Sequence, residues 1–154
     1  MREGNDYGYI DISGKVVIKP QYVDAHSFSE GLAAVGVQTS DSLYPVWGFI
    51  DSSGAWKIKP HFAHAREFHD GFAVVKLEDQ YEHVALVSNG GVVVPVPISD
   101  ADANTSIVRD VYEGFAAFSA NGADFGFLDT KGAIRIAPRY ASVGDFHEIG
   151  RAHV

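Results

Sequence analysis

Cysteine is absent from this chain, which excludes disulfide scaffolds, thiolate metal sites and cysteine nucleophiles. Basic residues are scarce: twelve Lys and Arg stand against twenty Asp and Glu, for a formal charge of -8. Such a balance repels a phosphate backbone, so nucleic acid is not an expected partner. Long apolar runs are missing too. No stretch approaches the roughly 18 consecutive apolar residues of a membrane span, and the opening Met1-Arg2-Glu3-Gly4-Asn5-Asp6 is polar, with no apolar core of a secretion signal. The expectation is a soluble chain without membrane insertion, and the lack of cysteine does not choose a compartment. Nucleophile elbows, Walker loops and dinucleotide fingerprints are also absent, because the glycines occupy a different pattern.

That pattern is a repeat. Tyr7-Gly8-Tyr9-Ile10-Asp11-Ile12-Ser13-Gly14 returns as Trp47-Gly48-Phe49-Ile50-Asp51-Ser52-Ser53-Gly54 and as Phe125-Gly126-Phe127-Leu128-Asp129-Thr130-Lys131-Gly132. A worn copy reads His83-Val84-Ala85-Leu86-Val87-Ser88-Asn89-Gly90. The closing glycines lie 40, 36 and 42 residues apart. A period in this range marks stacked or ringed units, none able to bury its apolar face alone. With 46% apolar residues in 154, the expectation is one all-β repeat domain over residues 1–154, with repeats at about 7–46, 47–82, 83–124 and 125–154.

Each unit reads as a three-stranded antiparallel meander. In the second unit the strands are Trp47 to Asp51, Ala55 to Lys59 and Phe72 to Leu77, and Asp51-Ser52-Ser53-Gly54 is a tight turn capped by its Asp. Lys19-Pro20, Lys59-Pro60 and Ala137-Pro138 predict the end of the second strand, since proline cannot donate to a ladder. An irregular crossing follows, with a turn of helix admissible at Val23 to Phe28 or Ala63 to Phe68. It closes on Glu30-Gly31, Asp70-Gly71 or Glu113-Gly114. The in-strand glycines Gly8, Gly48 and Gly126 predict close cover, for which a neighbouring aromatic ring is the expectation. In the third unit a polar, acidic loop, Ser99 to Ser106, stands where an aromatic-bearing crossing is expected. The last tetrapeptide, Arg151-Ala152-His153-Val154, aligns with Leu32–Val35 and Phe72–Val75. Completing the first unit with it would close four units into a propeller-like ring; leaving it as a cap gives an open solenoid-like array.

The combination of ring-Gly, Asp-x-x-Gly, a proline, an aromatic two residues on and a crossing Phe resembles the bacterial WG-repeat (KWG) family. Tyr7 to Val35, Trp47 to Lys76 and Phe125 to Phe146 carry the resemblance, whereas residues 83–118 depart from it. The resemblance implies a tandem β repeat with no shared catalytic residue set and, by analogy, a binding or structural role.

The chemistry-bearing residues mostly have structural readings. His61 and His64 invite a metal site, but their slots hold Gln21, Arg139, Asp24 and Ser142 in other units, as solvent-facing positions would. Asp11, Asp51 and Asp129 read as turn caps and Glu30, Asp70 and Glu113 as turn residues, so no carboxylate pair for glycoside cleavage is promised. The Asp100-Ala101-Asp102-Ala103-Asn104 run lacks the ligand alternation of a calcium loop. No cofactor is expected and no enzyme activity. Candidate contact residues are those that differ between units beside the interlock: Tyr44, Trp56, His61, His64, Arg66 and Tyr81. Trp56 takes the slot of Val16 and Ile134, which reads first as an enlarged core position and second as an exposed anchor. The expected function is a non-catalytic interaction module for a protein partner, with carbohydrate binding as the alternative.

Overall fold

The computed structural model describes residues 2–79, 83–98, 107–141, 146–147 and 151–152. Among them every regular element is a strand. The strands are β1 (Arg2–Glu3), β2 (Asp6–Ile10), β3 (Val16–Tyr22), β4 (Asp24–Ala25), β5 (Leu32–Val37), β6 (Val46–Asp51), β7 (Trp56–His69) and β8 (Phe72–Leu77). They continue as β9 (Val84–Ser88), β10 (Val93–Pro95), β11 (Ile107–Val108), β12 (Phe115–Ser119), β13 (Phe125–Asp129), β14 (Ile134–Tyr140), β15 (Phe146–His147) and β16 (Arg151–Ala152). Neighbours in sequence pair antiparallel, giving open sheets β1–β3, β4–β10, β11–β14 and β15–β16. None closes into a barrel.

The recurring prolines do not end their strands. Strand β7 runs through Pro60, its first half paired with β6 and its second with β8. No helical turn forms at Ala63 to Phe68, which is extended, and Asp24–Ala25 is likewise a strand. The proline is tolerated because the ladder bulges there. Phe49 pairs with Ile58 and Trp47 with Phe62, so Gly48 alone faces Lys59-Pro60-His61. A proline in a bulge removes no ladder bond. Gly8 faces Lys19-Pro20-Gln21 and Gly126 faces Ala137-Pro138-Arg139 in the same way.

This bulge explains the in-strand glycine, and the cover is backbone rather than the expected ring. A Cβ at Gly48 would stand 2.6 Å from the Ile58 carbonyl oxygen and 2.8 Å from the Pro60 nitrogen. In the worn unit, Val84 to Ser88 pairs with β8 as Trp47 to Asp51 pairs with β5, so the glycine slot is Ala85. There β10 stays in plain register and ends at Pro95, leaving room for a methyl group. The same pairing moves the turn by one residue from the sequence expectation: Ser88 takes the Asp place and Gly91, not Gly90, has the positive φ of 85° shared with Gly14 and Gly54.

Strands β5, β6, β8, β9, β12 and β13 are buried on both faces. Paired in twos, they form walls between successive core layers. Ala33, Val35 and Ile50 face one layer with Ile18 and Tyr22; Leu32, Ala34, Trp47 and Phe49 face the next with Ile58, Phe62 and Phe68. Ala73, Val75, Ala85 and Val87 close that second layer, while Val74 and Leu86 open the third against Val108, Phe118 and Leu128. Ala117, Phe125 and Phe127 face a fourth. Two-faced burial is why these strands read as unbroken apolar runs.

The acid-glycine turns also interlock. Glu30, Asp70 and Glu113 have φ of 53°, 48° and 49°, each followed by a glycine near 80°, the geometry of a two-residue hairpin turn. The Glu30 carboxylate accepts the Gly71 amide at 3.1 and 3.2 Å, and that of Asp70 accepts the Glu113 amide. Each carboxylate thus ties its turn to the next such turn in the chain. At the far end, Arg151–Ala152 pairs with Phe146–His147, and the place beside Tyr7 and Asp6 on β2 is held by Arg2–Glu3. Residues 153–154 and the loop 99–106 lie outside the described residues.

Candidate functional site

Among the described connections between paired strands, that from β5 to β6, Gln38 to Pro45, is the longest. Gln38 Nε2 donates to the Ser42 carbonyl at 2.7 Å, folding the loop so that Leu43 and Tyr44 project. Leu43 is 93% and Tyr44 76% exposed. Beside them opens a cleft of about 670 Å³, lined by Asp24, Tyr44, Trp47, His64, Lys76 and Glu78 among others. Its volume falls in the range of small-ligand or side-chain pockets.

Trp47 on β6 and His64 on β7 line the cleft, and His26, just past the end of β4, packs on both rings. The Trp47 indole lies 5.2 Å from the His26 ring and 5.1 Å from His64, and the two imidazoles are 6.1 Å apart. Trp47 itself is buried, held against Gly36, where a Cβ would meet the indole at 3.3 Å. Desolvation, reinforced by His26 and Lys76, holds the His64 imidazole below its ordinary 6.5; it is neutral at pH 7. The cleft therefore offers an apolar wall, a neutral imidazole, one ammonium group and carboxylates at Asp24, Glu78 and Asp79. Asp79 is also engaged with His83 Nδ1 at 2.7 Å.

Of the residues singled out in the sequence, the structure brings Tyr44 and His64 together here. His61 lies elsewhere: its Nδ1 is 2.6 Å from the Lys59 carbonyl oxygen and its ring rests on Phe62. Extended backbone separates it from His64. Among the described residues no group of three His, Asp or Glu side chains could hold a metal ion. Arg66 is tied across units, its Nη2 on Asp110 Oδ2 at 2.9 Å and Nη1 on the Val108 carbonyl at 3.2 Å. Trp56 is not a core residue: it is 39% exposed, with Val16 and Ile134 similarly open in the matching slots, and its ring meets Tyr22 edge-on at 6.2 Å. Tyr81 lies outside the described residues.

Sequence reasoning missed His26, Asp24, Leu43 and the cleft role of Trp47. Comparing units slot by slot cannot reveal this group, because His26 and His64 occupy non-equivalent slots of different units and meet at the Trp47 ring. The length of the Gln38–Pro45 connection was the available signal.

The recurring aspartates are turn caps. Asp11 Oδ1 accepts the Ser13 and Lys15 amides at 2.9 and 3.0 Å, and Asp51 Oδ1 those of Ser53 and Ala55 at 2.9 and 3.2 Å. Asp129 does the same with Lys131 and Ala133 at 2.9 and 3.0 Å.

No curated protein and no solved structure matches the chain. The family profile described as WG containing repeat matches residues 7–37, 47–81 and 125–154. These are the segments whose ring-Gly pair, proline bulge and Asp-capped turn have just been described, and they make up more than half of the sequence. The chain belongs to the WG-repeat family.

Proposed function

We propose that the chain is a non-catalytic interaction module of four three-stranded WG-type units, which binds a protein partner through the cleft beside Tyr44. The observation that carries this reading is the pairing of two projecting apolar side chains, Leu43 and Tyr44, with an aromatic-walled cleft. Solvent-facing side chains of that size beside a concave site suit a partner's surface, where aromatic anchors in pockets dominate binding energy. The absence of turnover is supported by the way the repeated carboxylates are used, as turn caps and as links between turns. Carbohydrate binding through a row of stacked aromatics is less well supported, since Trp56 does not line the cleft that Tyr44 lines.

Affinity purification from the native organism, with the wild type and Tyr44→Ala as parallel baits, tests the reading. Proteins enriched by the wild type and lost with the variant are expected, the anchor contributing about tenfold or more in affinity. Equal recovery by both baits, or Tyr44-dependent binding on a glycan array without a protein partner, would overturn it.

A further inference from the structure

We propose that the two ends of the stack are complementary and that a second copy of this chain docks its last layer onto the first unit. Inside the stack each Asp-x-x-Gly type turn rests on the middle strand of the unit before it. The Cβ position of Gly54 lies 3.6 Å from Ile18, that of Gly91 is 3.8 Å from Ile58, and that of Gly132 is 3.2 Å from Val94. Gly14, the corresponding turn of the first unit, has nothing within 4 Å among the described residues. The residue that faces the preceding layer repeats this contrast. Ile50, Val87 and Leu128 are fully buried in that slot, whereas Ile10 is 47% exposed. The first unit therefore presents the face that covers a preceding layer elsewhere in the fold, and no described residue packs on it.

The other end supplies what would fit. Ile136 lies opposite Phe127 on β13 as Ile18 lies opposite Tyr9 on β2 and Ile58 opposite Phe49 on β6. Those two isoleucines are buried beneath the next unit, while Ile136 is only partly buried. Backbone edges agree with side chains. On β6 the ladder runs from Leu32–Asp51 to Val37–Val46; on β2, among the described residues, only its last two places are filled, Arg2 opposite Tyr7 and Glu3 opposite Asp6. The remaining places need a Leu32–Val35 equivalent, and Arg151–Ala152 pairs with Phe146–His147 as β8 begins against β7. In this register Ala152 of one copy falls opposite Ile10 of the next, as Ala33 faces Ile50. An open β edge with a half-exposed isoleucine is a template for such pairing. Among the described residues nothing covers Ile10 and Gly14, and the last unit carries the matching isoleucine and strand, so the occupant we assign is a second copy. The contact joins unlike surfaces, and it propagates as a ring or a chain of copies.

Sedimentation velocity between about 1 and 100 μM, the micromolar affinity range, is the test. The wild type should shift to species larger than a monomer as concentration rises. Ile10→Asp removes the head and Ile136→Asp the tail, and each alone should stay monomeric with a native circular dichroism spectrum. An equimolar mixture of the two should form a dimer and nothing larger, since one intact tail then meets one intact head. The chain has no cysteine, so Ile10→Cys and Ala152→Cys give a second measurement that does not disturb Ile136. Mixed under mild oxidation, these two should yield a cross-linked dimer, and neither should do so alone. A wild type that stays monomeric over the whole range overturns the proposal, as does a disulfide closing within one chain of the double-cysteine variant.

Discussion

Replacing Gly48 by alanine adds a single methyl group at the point where β6 faces the Lys59-Pro60-His61 bulge. Its Cβ would lie 2.6 Å from the Ile58 oxygen, 2.8 Å from the Pro60 nitrogen and 3.0 Å from the Lys59 carbonyl carbon. All three neighbours are backbone, so no side-chain rotation relieves the clash. Overpacking of this kind costs about 1–3 kcal/mol, and forcing β7 away weakens flanking ladder bonds worth about 1 kcal/mol each. A loss of about 3 kcal/mol is expected, which is a large part of the 5–15 kcal/mol typical of a domain. For a chain of this size it corresponds to a Tm lower by roughly 6–12 °C. Gly36→Ala is the control: its Cβ would meet side chains of Pro45 and Trp47 at 3.3 Å, which can shift, so about 1 kcal/mol or less is expected. Thermal and urea unfolding followed by tryptophan fluorescence reads both, because Trp47 and Trp56 lie on the two strands concerned. A Gly48→Ala variant as stable as the wild type, or less perturbed than Gly36→Ala, would refute the bulge argument.

The remaining predictions concern acid. Hydrogen bonds within the turns hold the Asp11, Asp51 and Asp129 carboxyls below their ordinary 3.8. The unfolded chain then binds protons first, so their stabilisation is complete above pH 3.8 and is lost as pH falls through the lower folded values. Urea midpoints measured between pH 5 and 2 should fall less steeply in the triple Asp→Asn variant; an unchanged slope would contradict the capping role. His64, also depressed, begins to destabilise the fold as pH drops below 6.5. Its imidazole resonance should titrate below that value by NMR, and at or above it if the ring is not desolvated in the cleft.

Much of this architecture is legible in the residues, because the same physics is repeated in each unit. The Asp-x-x-Gly turns, the two-faced runs such as Leu32 to Val35 and the acid-glycine hairpins each follow from local chemistry. What misleads is reasoning that treats one strand by itself. Pro60 argues for an ending if only its missing N–H is considered, yet Gly48 on the partner strand makes room for a bulge and the strand continues. The worn copy slips by one residue for a related reason: Ala85 stands in the glycine slot only because β10 does not bulge, so the motif that should anchor the alignment is gone. Trp56, Val16 and Ile134 look like core by composition. They lie on the stretch beside the turn where no layer covers them fully, and apolar character alone does not report that.

The cleft has a different origin from the scaffold. Trp47 is the aromatic half of the family's ring-Gly pair, and its partner Gly48 is fixed by the bulge of β7. The indole is buried and packs against Gly36, so the wall of the cleft is part of the repeat. What differs in this unit is the material set around that wall. Eight residues join β5 to β6, whereas five, Ala120 to Asp124, join β12 to β13, and the extra length carries Leu43 and Tyr44. His26 and His64 arrive from the two units flanking the wall, in slots filled by other residues elsewhere. A repeat scaffold tolerates such changes at its loops and flanking slots because each layer is closed by its walls rather than by its connections. The recurrent residues are thus committed to packing, and the cleft arises where a loop of one unit and a slot of its neighbour converge on the shared core, as Tyr44 and His64 do on Trp47.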